Sequence, residues 1–105
     1  MTHVIRSTRR ALTNEEIEHE LPRIPLWRFD DGKLQRELVF ADFPEAFGFM
    51  SALALHAQAL NHHPAFRNVY NRVQLELWTH DVSGITALDF ELARVADTLA
   101  ASFRR

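Results

Sequence analysis

Asn61-His62-His63-Pro64, Thr79-His80 and Asp89 are the residues of this chain whose types and spacing suit chemistry, and they include three of its six histidines. Adjacent His62 and His63 cannot share a helix face as residues three or four apart do. They belong at the end of an element. His63 precedes Pro64, and a residue before proline is pushed out of the α region. A helix therefore ends here, with imidazoles gathered at its C-terminal end. The negative end of the helix dipole favours imidazolium there, typically by about 0.3–1 kcal/mol. The chemistry this suits is proton transfer near neutral pH, one histidine donating and another accepting.

Each residue also has a plainer reading. A single histidine is most often a hydrogen-bonded surface residue, and His3, His19 and His56 have no partners to suggest otherwise. Two histidines with Asp89 can form a facial triad for iron. No His-Glu-x-x-His motif supports a metal, and adjacent histidines rarely aim at one centre. Asp89 lies three residues after Thr86, a capping-box position, so a helix cap competes with a catalytic role. Trp78 alternates away from Leu75 and Leu77. It can wall a planar ligand, cover a sheet face or enter an interface. No serine, glycine-rich loop or P-loop context supports acyl or phosphoryl transfer.

The elements that must position these residues are legible from local signals. Thr13 and Glu16 make a capping box, with Leu12 and Ile17 as its hydrophobic staple. That helix is short, because Pro22 and Pro25 follow. Leu26–Phe29, Asp30-Asp31-Gly32 and Lys33–Phe40 predict a hairpin, with Leu34, Leu38 and Phe40 on one face. Asp42 and Glu45 start a second helix. Phe43, Phe47, Met50, Leu53, Ala54, Ala57 and Leu60 form its expected core stripe. Phe49, Ala52, Leu55 and Ala59 add a second apolar set, which packs either on another subunit or under a neighbouring helix. Asn61 suits the left-handed residue that ends a helix. Phe66–Trp78 predicts another hairpin, turning near Tyr70-Asn71-Arg72. After a loop at Asp81–Gly84, Thr86 opens a last helix with a stripe through Leu88, Leu92, Val95, Ala96, Leu99 and Phe103. The order is α-β-β-α-β-β-α, and strands grouped as hairpins favour an antiparallel α+β fold. If the second helix covers the strand ending at Trp78, then His62, His63 and His80 meet at one edge of the sheet.

The 105 residues suit one domain, expected over residues 12–105, and so small a core gains from oligomerisation. The basic stretch 1–11 has no apolar segment of a secretory signal and reads as a mobile tail. Apolar residues make up 47% and charged residues 25%, the balance of a globular protein. With no cysteine, thiol chemistry and Cys-ligated zinc are excluded, and a cytoplasmic location is expected. A formal charge of −2 without a basic stripe gives no support to nucleic-acid binding. No apolar run reaches the roughly 20 residues that span a bilayer.

The sequence resembles the pterin-4a-carbinolamine dehydratases. The resemblance runs through Asp42-Phe43, Ala46-Phe47-Gly48-Phe49-Met50, Asn61-His62-His63-Pro64, Asn68-Val69-Tyr70-Asn71, Thr79-His80 and Asp89. It implies a four-stranded antiparallel sheet with three helices on one face, and a homodimer or homotetramer. It implies dehydration of 4a-hydroxytetrahydropterin, the product of aromatic amino-acid hydroxylases, to quinonoid dihydropterin with no metal or redox cofactor. By resemblance His62, His63 and His80 surround the reacting centre: His62 or His80 exchanges protons and His63 holds the substrate. Asn61, Trp78, Thr79 and Asp81 would line the pterin pocket, with Asp89 in support.

Two positions depart from the family's pattern. Gln58 stands where many members carry Glu four residues before His62. Glutamine can hydrogen-bond but cannot exchange a proton. Leu88 stands where animal members carry Arg. A second function follows from the same resemblance, since animal members also bind a homeodomain transcription factor. A catalytically weak member would act as such a protein-binding regulator.

Overall fold

The computed structural model describes residues 9–103. A first helix, α1 (Asn14–Glu20), leads through a 3-10 turn (Leu21–Arg23) into strands β1 (Arg28–Asp30) and β2 (Lys33–Val39). Helix α2 (Phe43–Leu60), strands β3 (Ala65–Val69) and β4 (Arg72–Leu77), a 3-10 turn (His80–Val82) and helix α3 (Ala87–Phe103) follow. The four strands form one antiparallel sheet in the order β1-β2-β4-β3. This is the α+β order expected from the sequence.

Local chemistry explains the boundaries. At α1 the Thr13 hydroxyl accepts from the Glu16 amide and Glu16 accepts from the Thr13 amide, the full capping box. Arg10 adds a two-pronged ion pair to Glu16, with contacts of 3.0 and 3.1 Å. That guanidinium and the Thr13 amide hold the Glu16 carboxyl down at about 2. Asp31 and Gly32 take φ of 53° and 73°, the mirror-image turn that matches the strand twist. Asp42 caps α2 by accepting from the Glu45 amide, while Glu45 reaches back to the Ala41 amide. Asn61 ends α2 in the left-handed conformation, φ 52° and ψ 43°.

Register sets the buried face of the sheet. Leu34 lies opposite Leu77, Arg36 opposite Leu75, and Leu38 opposite Val73. The five leucine and valine side chains are buried, and Gln35, Glu37, Arg72, Gln74 and Glu76 alternate to the other face. Helices α2 and α3 pack on each other, α2 also meeting β4 and α3 meeting β2. Ile17 of α1 joins the same core. Arg36 is the exception on this inner face. Its guanidinium is buried and pairs with Asp97 of α3, which also accepts from Trp27 Nε1 at 2.8 Å.

The stripe of α2 is phased differently from the sequence expectation. Ala46, Phe49, Leu53 and Ala57 are buried, whereas Phe43, Phe47 and Ala54 are exposed. Phe49, placed in the secondary set by periodicity, packs between Phe40 at 5.1 Å and Phe103 at 6.4 Å between ring centres. Phe43 and Phe47 contact each other at 5.8 Å instead. Both sets have helical spacing, so only the aromatic partners, Phe40 just after β2 and Phe103 on α3, select the buried one. Gly48 lets α3 approach closely, since a Cβ there would lie 3.0 Å from Phe103 Cε1. Leu88 is buried. Residues 1–8 of the expected tail lie outside the described residues, and residues 9–11 are placed against the domain. No described helix is long and apolar enough to cross a membrane.

Candidate active site

The left-handed Asn61 turns the chain out of α2 so that His62 and His63 diverge. The His62 amide bonds the Ala57 carbonyl, and its ring points inward and is 6% exposed. His63 is exposed. Its Nε2 lies 3.0 Å from the Gln58 Oε1. Gln58 thus holds His63, and not His62, which lies four positions on. Such spacing aligns two side chains only along a continuous helix. Here α2 stops at Leu60, which carries His62 off that face.

Asp89 is fully buried at the start of α3 and joins three segments. Oδ1 lies 2.5 Å from His62 Nε2. Oδ2 accepts from the Thr79 hydroxyl at 2.8 Å and from the Thr86 amide at 2.9 Å. Both readings of Asp89 therefore hold together, one oxygen serving as part of a helix cap and the other meeting a histidine. The hydrogens run in one direction. The Leu88 amide donates to Thr86 Oγ1 at 3.3 Å. Thr79 has given its proton to Asp89, so the 2.8 Å contact between Thr86 and Thr79 hydroxyls is donated by Thr86. With every neighbour donating to the carboxylate, His62 presents Nε2–H to it. The accepting nitrogen of that ring is then Nδ1. No buried side-chain nitrogen or oxygen among the described residues lacks a partner.

A cavity of about 430 Å³ opens over this network, within the size range of small-molecule sites. Its lining includes Asn61, His62, His63, Trp78, Thr79, His80 and Asp81, the residues singled out from the sequence. Two qualifications come from the side chains. The Thr79 hydroxyl is engaged with Asp89 and Thr86, so it has no proton to offer a ligand. Trp78 stacks on His80, ring centres 4.4 Å apart and planes within 10°, and Lys33 Nζ lies 4.8 Å over the indole. Arg9, Pro64 and Ala65 complete the lining, with the Arg9 guanidinium 3.3 Å from the Asn61 carbonyl oxygen. Sequence reasoning missed Arg9 by assigning it to a tail, and missed Lys33 and the contact of the Thr86 hydroxyl with Thr79 because these depend on contacts across the fold. Among the described residues no three His, Asp or Glu side chains converge as a metal-binding set. A second cavity of equal volume lies between α1 and α3. Its Glu16 and Glu20 are paired with Arg10 and Arg23, and none of the three clustered histidines lines it.

This arrangement can do acid–base chemistry. It has one imidazole oriented by a buried carboxylate and two more on the same cavity wall.

Comparison with known proteins identifies the family. A protein of Solibacter usitatus, provisionally named pterin-4-alpha-carbinolamine dehydratase, is 53% identical over 90 residues, covering 86% of this chain and 95% of that protein. One of Burkholderia multivorans with the same provisional name is 52% identical over 95 residues, covering 89% and 93%. The crystal structure of a transcriptional coactivator/pterin dehydratase from Brucella melitensis superposes with a TM-score of 0.84 at 40% identity, covering 87% of this chain and 99% of that one. Residues 10–99 match the family described as pterin 4 alpha carbinolamine dehydratase, and the chain belongs to that family.

Proposed function

We propose that this protein is a hydro-lyase that converts 4a-hydroxytetrahydropterin to quinonoid dihydropterin by histidine acid–base catalysis. The observation that carries the proposal is the Asp89-held His62 sharing a cavity with His63 and His80. In the reaction the C4a–O bond breaks, N5 forms a double bond to C4a, the hydroxyl leaves as water, and N5 loses its proton. Hydroxide leaves poorly, so the step needs an acid at oxygen and a base for the N5 proton. His62 and His80 are assigned to these two transfers. His63, anchored through Nε2 by Gln58, is assigned to holding the substrate. Neither transfer calls for a metal or a redox cofactor. The setting would be pterin recycling beside an aromatic amino-acid hydroxylase, in the cytoplasm.

The test is the dehydration rate of enzymatically generated 4a-hydroxytetrahydropterin. The expected result is acceleration above the spontaneous rate, lost in His80→Ala. Folded wild type giving no acceleration would overturn the reading.

A second reading is a protein-binding role, since the Brucella melitensis structure is titled as a coactivator as well as a dehydratase. The exposed Phe43, Phe47, Leu55, Phe66 and Val69 favour it, as large apolar groups left uncovered mark interaction surfaces. A homo-oligomer would cover some of them. Sedimentation of wild type beside Phe47→Glu tests this, and a monomer in both would count against it.

A further inference from the structure

We propose that Trp78 is a positioning residue that fixes the orientation of the His80 imidazole, and that it is not a stacking platform for the pterin. The inference rests on the dehydratase reading and deepens it. Trp78, Thr79 and His80 are consecutive, and side chains alternate along extended backbone. Thr79 points inward to Asp89 and Thr86, so Trp78 and His80 point together to the other side. The Thr79 backbone is pinned as well. It donates to the Gly84 carbonyl at 2.8 Å and accepts from the Gly84 amide at 3.3 Å. The path of the chain is therefore fixed, and what remains is the rotation of the His80 ring.

No hydrogen bond among the described residues holds either ring nitrogen of exposed His80. Its ring lies against the indole, parallel to within 10° at 4.4 Å. Lys33 Nζ also lies over the indole, 4.8 Å from its centre, from the strand position that precedes the Leu34–Leu77 pair. The indole is therefore already engaged by a stacked imidazole and an ammonium group. A planar substrate would have to displace the lysine or the histidine to stack there. The outward face of His80 is the flat surface that remains, and Trp78 supports it from behind. Stacking leaves both ring nitrogens free, which a hydrogen-bonded support would not.

Kinetics and imidazole NMR together test this. In wild type the His80 ring C–H signals are expected upfield of the other histidines, shielded by the indole. Trp78→Ala should return them to ordinary positions while leaving His62 and His63 in place. The same variant should lower kcat by about tenfold to a hundredfold, the range for a misplaced catalytic group, with KM changed by less than about threefold. Trp78→Phe keeps a stacking face and should recover kcat to within about threefold. Three results would overturn the proposal: unshifted His80 signals in wild type, full kcat in Trp78→Ala, or a loss confined to KM. The last would make the indole a binding wall after all. If Trp78→Ala does not fold, the wild-type shielding and the Trp78→Phe kinetics still decide. If wild type lacks dehydratase activity, the functional reading fails while the ring signals still report whether Trp78 holds His80.

Discussion

Replacing Asp89 by asparagine swaps one oxygen for an amine while keeping shape, and the network dictates where the amine goes. In one orientation the amide oxygen keeps the Oδ2 role, accepting from the Thr79 hydroxyl and the Thr86 amide. The amine then faces His62 Nε2 and donates to it. The ring must move its proton to Nδ1, the nitrogen that the proposed reaction would use as acceptor. In the reverse orientation the amine opposes the Thr86 N–H, a backbone donor that cannot turn away. Stranding a buried donor costs about 1–3 kcal/mol, so this orientation is disfavoured by roughly 5- to 160-fold. The wrong tautomer dominates. The same inversion in a Ser-His-Asp triad lowers turnover by about 10⁴-fold. Dehydration by Asp89→Asn should therefore fall by about fivefold to about 160-fold, set by the fraction of molecules that keep the working tautomer. The assay is turnover of enzymatically generated 4a-hydroxytetrahydropterin, with a thermal melt showing the variant folded. Nitrogen-15 spectra should show the proton on Nδ1 of His62. Activity within about threefold of wild type, with that tautomer confirmed, would refute His62 Nδ1 as a working base.

Other perturbations have definite outcomes. Gln58→Glu places a carboxylate on His63 at an exposed site, where such pairs are worth about 0.2–1 kcal/mol, so turnover should rise by up to about fivefold. A fall in turnover would show that His63 works better with a neutral partner. Asp97→Ala leaves the buried Arg36 charge and Trp27 Nε1 without their shared acceptor, and urea denaturation should register a loss of about 3–5 kcal/mol. A loss below about 1 kcal/mol would mean that water replaces the carboxylate. Glu16 titrates from an ordinary 4.5 down to about 2 in the folded chain. Its lowered pKa stabilises the fold above 4.5 and that contribution disappears as pH falls towards 2. Wild type should thus exceed Glu16→Ala in denaturant resistance at pH 6, with the gap closing in acid; a constant gap would contradict the assignment.

What was legible in the sequence was local. Asp31-Gly32, the Thr13–Glu16 box and the Asn61 terminator each depend on the conformations of neighbouring residues, and each formed as read. The cavity-lining histidines were legible because residue types at helix and strand ends converge when the elements pack. The phase of α2 was not, because Phe47 and Phe49 are equal candidates until Phe40 and Phe103 are in place. That Gln58 meets His63 and not His62 was not legible, because a four-residue spacing aligns side chains only along a continuous helix and α2 ends between the two. Trp78 was recognised as flat and outward, but not as already engaged by His80 and Lys33, since Lys33 comes from a strand 45 positions earlier in the chain.

Asp89 has a consequence for how the protein loses function on heating. Its carboxylate joins the exit of α2, the end of β4 and the entry to α3. None of these three can detach alone without stranding donors in the interior. The site has no separate, softer melting step, unlike sites carried on loops that open ahead of the scaffold. Activity and tertiary structure should vanish over one temperature interval, and cooling should restore both together. Variants that raise the midpoint of unfolding should raise the upper working temperature by the same number of degrees.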